Sequence, residues 1–392
     1  MKLALIGAQL CAAAILPRKV LLPEPIVEDF SAKCLDSSPA GYFIREQDPS
    51  KWIVMIDGGG LCIDAWDCRR RAETPHGSSK DWPSSWDPQA VPFTSGRSAF
   101  FADFSQIFVP YCSGDLWLGQ DRAKRLIIGE LQMSGHLILN AVVEHLMNTT
   151  KLRRSSLVVF AGASAGGIGV FHHADWISSK LHSLGIAPRT VVLPIAGLFF
   201  PERWPVLWEE FRMGVEVPVD GFMASWCHLL EGSFLHEGCV ANATAAKRPV
   251  RECQDVSKIL PLLKAEVFIF QNQFDQYQAN HLGLCPPDLC NASTDVASRA
   301  GQYLQLFGRR SKETLQATIQ TRPRLGVLAP SWFDHTNQLE REIAGDGQGV
   351  SGWSFAELFA AWLDGQQIHL LADACAGGPC PQAAHRSNSL VV

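Results

Sequence analysis

The run Phe160-Ala161-Gly162-Ala163-Ser164-Ala165-Gly166-Gly167-Ile168-Gly169 constrains this chain more than any other stretch. It follows the apolar residues Leu157-Val158-Val159-Phe160 and leads into a helix-like run from Gly167 to about Leu184. A strand, a tight turn and a helix, with Gly-x-Ser-x-Gly on the turn, push a serine hydroxyl out at the head of a sheet. The small flanking residues have a mechanical reason. The turn strains the backbone at the serine, and only Gly or Ala beside it leaves room. The N–H of Ala165, at a helix N-terminus, then points at any negative charge that develops there. Ser164 is the candidate nucleophile.

The 392 residues, 47% hydrophobic and 19% charged, suit one large α/β domain with an extensive core. A formal net charge of −5 gives no global signal for nucleic acid. Arg69-Arg70-Arg71 is flanked by Asp67 and Glu73 and reads as a solvated face. Met1-Lys2, the apolar run from Leu3 to Leu16 and the small residues Ala12-Ala13-Ala14 predict a secretory signal peptide over residues 1–16, with a signal anchor as the competing reading. No later segment is long and uncharged enough to span a membrane.

Of the 12 cysteines, Cys11 falls in the signal. The rest include the close pairs Cys62/Cys68, Cys285/Cys290 and Cys375/Cys380, which in a secreted chain read as disulfides. Zinc is the competing reading, but no Cys-x-x-Cys pair is present and no metal site is assigned. An odd number of mature cysteines leaves at least one thiol free or intermolecular. Acceptor sequons at Asn148, Asn242 and Asn291 also fit secretion.

Strands and helices alternate along the chain. Strands are expected at Tyr42-Phe43-Ile44, Trp52 to Ile56, Gln106 to Tyr111, Leu157 to Phe160, Thr190 to Ile195, Ala265 to Phe270 and Leu325 to Ala329. One long helix is expected over residues 122–147, others over 297–320 and 354–363, and a long loop excursion over 64–104. The pattern predicts a mostly parallel, doubly wound sheet of α/β-hydrolase-like type with helices on both faces. The domain should span residues 25–372, with a cap-like insertion over 200–260 and a disordered tail over 373–392.

A serine needs a base to take its proton. In such chains the order is serine, acid, histidine. His335 lies in a loop just after the Leu325 to Ala329 strand, the usual place for a catalytic base; His369 reads as packing, and His172 and His173 as residues of the helix after the serine. Asp275 stands just past the strand ending at Phe270, and Asp334, adjacent to His335, is less able to support its ring. Asp57-Gly58-Gly59-Gly60 follows the Trp52 to Ile56 strand and exposes backbone N–H groups, so Gly59 and Gly60 join Ala165 as oxyanion-hole candidates.

Six ordered motifs together resemble the pectin acetylesterase/Notum carboxylesterase family. They are Cys34 to Phe43, Gly58 to Cys62 with Cys68 and Gly77-Ser78-Ser79-Lys80, Pro110 to Gly119, residues 161–175, Phe274-Asp275 and His335. The resemblance runs roughly from Cys34 to Glu340. It implies a secreted esterase with a cofactor-free, metal-free Ser164–Asp275–His335 triad. Its partner would be an acylated substrate, either a polysaccharide O-acetyl ester or a lipidated protein. It also implies the disulfides Cys62–Cys68 and Cys34–Cys112. The chain departs from Notum at Gly60 and Leu61, where Notum carries bulky aromatics. It also lacks the family's acid near Ile195-Ala196-Gly197 and its cysteine near Trp332. A non-catalytic binding protein on the same scaffold is the reading from another class; retention of all three triad residues argues against it. A serine peptidase uses the same triad.

Overall fold

The computed structural model describes residues 16–375 and 380, apart from residues 63, 87–99, 127–128, 200–231, 282–298, 323, 346 and 348. In chain order the strands are β1 (Arg18–Leu21), β2 (Gly41–Arg45), β3 (Asp48–Ile56), β4 (Phe104–Val109), β5 (Asp121–Leu126), β6 (Gly129–Met133) and β7 (Leu157–Ala163). They continue with β8 (Arg189–Ile195), β9 (Glu266–Phe270), β10 (Phe274–Asp275), β11 (Gly326–Ala329), β12 (Phe333–Asp334) and β13 (His369–Leu371). The helices are α1 (Glu24–Phe30), α2 (Ala65–Arg71), α3 (Gly135–Thr149), α4 (Ala165–Ser183) and α5 (Glu237–Ala245). After them come α6 (Val256–Ile259), α7 (Gln276–His281), α8 (Arg299–Thr321), α9 (Asn337–Ala344) and α10 (Phe355–Leu363).

A nine-stranded sheet runs in the order β1-β2-β4-β3-β7-β8-β9-β11-β13. It is parallel from β4 to β13 and antiparallel at the β1-β2-β4 edge. The central strands are continuous apolar runs, as strands covered on both faces must be. Trp52, Phe160, Phe171, Phe268 and Phe270 are fully buried among them. From β3 the chain turns to β4 on one side; from β7 it turns to β8 on the other. With right-handed crossovers, opposite turns put helices on opposite faces and leave a crevice at the carboxyl ends of β3 and β7. Gly58-Gly59-Gly60 and Ser164 lie there.

The expected long helix over 122–147 is replaced by the antiparallel hairpin β5–β6 followed by α3. Gly129 opens the return strand. Leu131 and Met133, two residues apart, share one small core with Leu35, Cys62, Cys68 and Ala72. That is strand periodicity, concealed in a short window whose other apolar residues also match a helical period. Ordered structure begins before residue 25, because β1 adds an edge strand to β2. The excursion after residue 64 starts with α2, whose N-cap Asp64 accepts the Asp67 N–H at 2.7 Å. Of the 200–260 segment, residues 200–231 lie outside the described residues. In the later part, Cys239, Cys253, Val256, Ile259 and Leu260 are buried in the main core.

Disulfides join Cys34–Cys112, Cys62–Cys68, Cys239–Cys253 and Cys375–Cys380. Cys380 also donates its N–H to the Ser331 carbonyl at 2.7 Å. Cys285, Cys290 and Cys227 lie outside the described residues, as does Asn291. Asn148 and Asn242 are exposed. Among the described residues no helix is long and apolar enough to cross a membrane.

Phe268 meets the rings of Phe355, Phe359 and Trp362 at 6.0, 5.2 and 5.4 Å and so fastens α10 to the sheet. Phe268→Ala should cost about 3–5 kcal/mol, read as a lower urea midpoint at unchanged slope.

Candidate active site

Ser164 sits between β7 and α4 with φ 55° and ψ −118°, a conformation that L-residues seldom adopt. Neighbouring backbone holds it there. Its N–H bonds the Ile195 carbonyl at 2.9 Å, and its carbonyl accepts the Ile168 N–H at 3.0 Å. The two motif glycines are needed for space. A methyl group on Gly166 would collide with the Ile56 carbonyl oxygen, and one on Gly162 with the Gly166 carbonyl. Gly58, from the other strand end, passes so close that a Cβ on it would stand 3.0 Å from Ser164 Cβ.

Ser164 Oγ lies 2.8 Å from His335 Nε2. His335 Nδ1 lies 3.0 and 2.9 Å from the two carboxylate oxygens of Asp275. The three residues, 171 positions apart at the extremes, therefore form one hydrogen-bonded line. Two short strands bring the acid and the histidine together. β10 pairs with β12 so that Phe274 faces Phe333 and Asp275 faces Asp334. Asn272 Nδ2 secures the pairing through the Asp334 carbonyl at 2.9 Å, and Gln273 donates its N–H to Pro330 O at 2.8 Å. Asp275 is fully buried and accepts from Gln271 Nε2 at 3.0 Å and from the Gln278 N–H at 2.9 Å. Asp334 turns away from the histidine ring to the Gln338 N–H at 2.9 Å.

Burial disfavours the His335 imidazolium, but the charge and hydrogen bond of Asp275, with Asp334 and Glu340, outweigh it and raise the pKa above its ordinary value. Two further carboxyls flank the site. Burial pushes Asp57 up to about 7, against the N–H groups of Gly58 and Tyr111. Burial also pushes Glu340 up to about 7, helped by Asp57 and Asp334.

Gly59 (φ 138°) and Gly60 (φ 71°) hold conformations that favour glycine. Among the described residues no acceptor receives the N–H of Gly59, Gly60 or Ala165. His172 and His173 are buried in α4: His172 meets Gln254 O at 3.1 Å, and His173 meets Gly169 O at 2.8 Å and His136 at 2.9 Å. His369 bonds Leu325 O at 2.9 Å as part of β13. Among the described residues no group of three or more His, Cys, Asp or Glu could hold a metal.

Sequence reasoning missed Tyr277 and Arg71. The Tyr277 ring stacks on His335 at 5.0 Å. Arg71 Nη2 donates to the Gly59 carbonyl at 2.6 Å, so this arginine leaves the solvated face expected of the triplet. A guide was available in the sequence. Cys62 and Cys68 tie the end of the glycine loop to α2, and Arg71 is the last residue of that helix.

A family model described as pectinacetylesterase matches residues 19–385. Human palmitoleoyl-protein carboxylesterase NOTUM is 25% identical over 315 residues, covering 73% of this chain and 56% of its own length. Zebrafish notum1a, described by the same activity, is 31% identical over 344 residues, covering 86% of this chain and 64% of its own. The chain thus spans little more than half to two-thirds of the length of these relatives. A crystal structure of the Wnt deacylase Notum from Drosophila aligns with a TM-score of 0.74 at 21% identity, covering 96% of this chain and all of that one. This establishes the α/β-hydrolase-like fold.

Because the Ser164 backbone is strained, Ser164→Gly should melt at or above the temperature of Ser164→Ala, although glycine elsewhere costs about 0.5–1 kcal/mol relative to alanine. Differential scanning calorimetry of the two variants reads this directly.

Proposed function

We propose that this chain, which belongs to the pectinacetylesterase family, is a secreted serine carboxylesterase that removes an O-acyl group from its substrate. The observation that carries the reading is the unbroken line from Ser164 Oγ through His335 to buried Asp275. His335 Nε2 takes the hydroxyl proton as Ser164 Oγ bonds the ester carbonyl carbon, and the carbonyl electron pair moves onto oxygen. The N–H groups of Ala165, Gly60 and Gly59 receive that oxyanion. Its collapse expels the alcohol, which takes the proton from His335 and leaves an acyl-enzyme. Water, activated by the same histidine, then releases the acid. Asp275 fixes the tautomer of His335 and stabilises its cation.

Gly60 and Leu61 leave less bulk beside the oxyanion loop than aromatic side chains would, and the acyl group is therefore the first thing to measure. The test compares p-nitrophenyl acetate, butyrate and octanoate with wild type and Ser164→Ala. Hydrolysis abolished in the variant supports the reading. Inactivity on all three esters, or full activity without Ser164, overturns it and favours a binding protein. Preference for acetate, with acetate release from acetylated pectin, points to a polysaccharide substrate; preference for octanoate points to a lipidated one. Secretion rests on the apolar residues after Lys2 and on the four disulfides, and cleavage near residue 16 would be read from the N-terminus of the exported chain.

The pH profile follows from the raised pKa of His335. The histidine must be neutral to accept the serine proton, so activity is lost as pH falls through its pKa. The acidic limb of kcat/KM should lie above 6.5, the ordinary histidine value. Asp275→Asn removes the main group that raises it. The limb should move to lower pH, and kcat should fall about 10²–10⁴-fold.

A further inference from the structure

Of the three successive arginines, two behave as surface residues. The side chains of Arg69 and Arg70 are 54% and 73% exposed, beside Glu73 and Asp67. Arg71 does not. Its Nη2 donates to the Gly59 carbonyl at 2.6 Å, and its guanidinium carbon stands 5.8 Å from the Tyr111 ring centroid. Its Nη1 is buried with no hydrogen-bond partner among the described residues. Burying one amino group unpaired is unfavourable. A solvated conformation would avoid that cost, so something else holds the side chain inward.

The peptide it touches is the one the reaction needs. In a trans peptide the C=O and the following N–H point in opposite directions. Holding the Gly59 carbonyl therefore fixes the direction of the Gly60 N–H, which has no acceptor among the described residues. Two consecutive glycines at positive φ cannot hold one orientation unaided. Gly60 also stands at the cleft: a Cβ on it would lie 3.7 Å from both Arg71 Nη2 and the Tyr277 hydroxyl, and Tyr277 stacks on His335. The anchor is itself anchored. Arg71 closes α2, and Cys68 within α2 is bonded to Cys62, two residues beyond Gly60.

We infer that Arg71 is a positioning residue of the esterase site, clamping the Gly59–Gly60 peptide so that the Gly60 N–H is already aimed when the oxyanion forms. This rests on the esterase reading above. It predicts a split that a merely structural arginine would not give. A donor aimed at the oxyanion acts in the transition state and not in the ground state, so its loss lowers kcat and leaves KM nearly unchanged.

The experiment uses the full chain and p-nitrophenyl butyrate. Arg71→Ala should lower kcat about 10–100-fold, less than the 10²–10³-fold of deleting a donor outright, with KM changed by less than about threefold. Arg71→Lys keeps the charge but not the planar fork and should recover only part of the loss. Added guanidinium at sub-denaturing concentration should raise the rate of Arg71→Ala and not that of wild type. Arg70→Ala, next to it and exposed, should leave kcat unaltered. Melting temperatures accompany each variant; if Arg71→Ala does not fold, Arg71→Lys carries the test. A kcat within about twofold of wild type overturns the inference, as does a loss expressed mainly in KM. Wild-type inactivity on every ester overturns the esterase reading and this one together, whereas an active wild type with an indifferent Arg71 overturns this one alone.

Discussion

Where β3 and β7 end side by side, there is room for backbone and little else. Gly166 lies against the carbonyls of Ile56 and Asp57, and Gly58 lies against Ser164. Any side chain at Gly166 or Gly162 would force the strand ends apart. That close approach lets one short crevice hold the Ser164 hydroxyl from one strand end and the Gly59 and Gly60 N–H groups from the other. The parallel register Met55↔Ala161 and Ile56↔Gly162 brings the two ends level. A slip by one residue would exchange the strands' two buried faces and offset the two ends by about 3.3 Å. Core packing thus fixes the geometry of the crevice indirectly, through register, and the positive φ of Ser164 is a local strain that the surrounding contacts sustain.

Asp275 and His335 arrive by a different route. They lie beyond β9 and β11, outside the crevice, and need their own small pairing, β10 with β12. This two-residue ladder is too short to persist alone. It is held by buried amides: Asn272 and Gln273 reach Asp334, Ala329 and Ala372 carbonyls, and Gln271 reaches Asp275. An ionised carboxylate out of water needs such donors. Buried polar residues here define a geometry more than they add stability.

Much of this was readable in the sequence, for physical reasons that differ by element. Strands buried on both faces appear as unbroken apolar runs, so Trp52 to Ile56, Leu157 to Phe160 and Ala265 to Phe270 were legible. Ser164, Asp275 and His335 were singled out because each follows such a run, and the structure brings the three side chains together. The hairpin at Asp121–Met133 was not legible, since a dozen residues can satisfy two periods at once. β12 and β13, two and three residues long, carry no pattern at all. Arg71 was misread because a charge run normally marks solvent, and sequence spacing does not say which of three consecutive arginines turns inward.

The charges around the crevice suit the proposed ester hydrolysis. Asp275, Asp334 and Glu340 all favour a positive charge on His335. The N-terminus of α4 at Ser164 favours a negative one. Asp57 precedes Gly58 in the glycine loop, and its carboxylate accepts the Gly58 N–H at 2.8 Å. Burial raises its pKa to about 7. Its main-chain carbonyl accepts from Trp117 Nε1 at 2.9 Å. Two side chains thus hold peptide groups of the glycine loop in place, Arg71 at the Gly59 carbonyl and Trp117 at the Asp57 carbonyl.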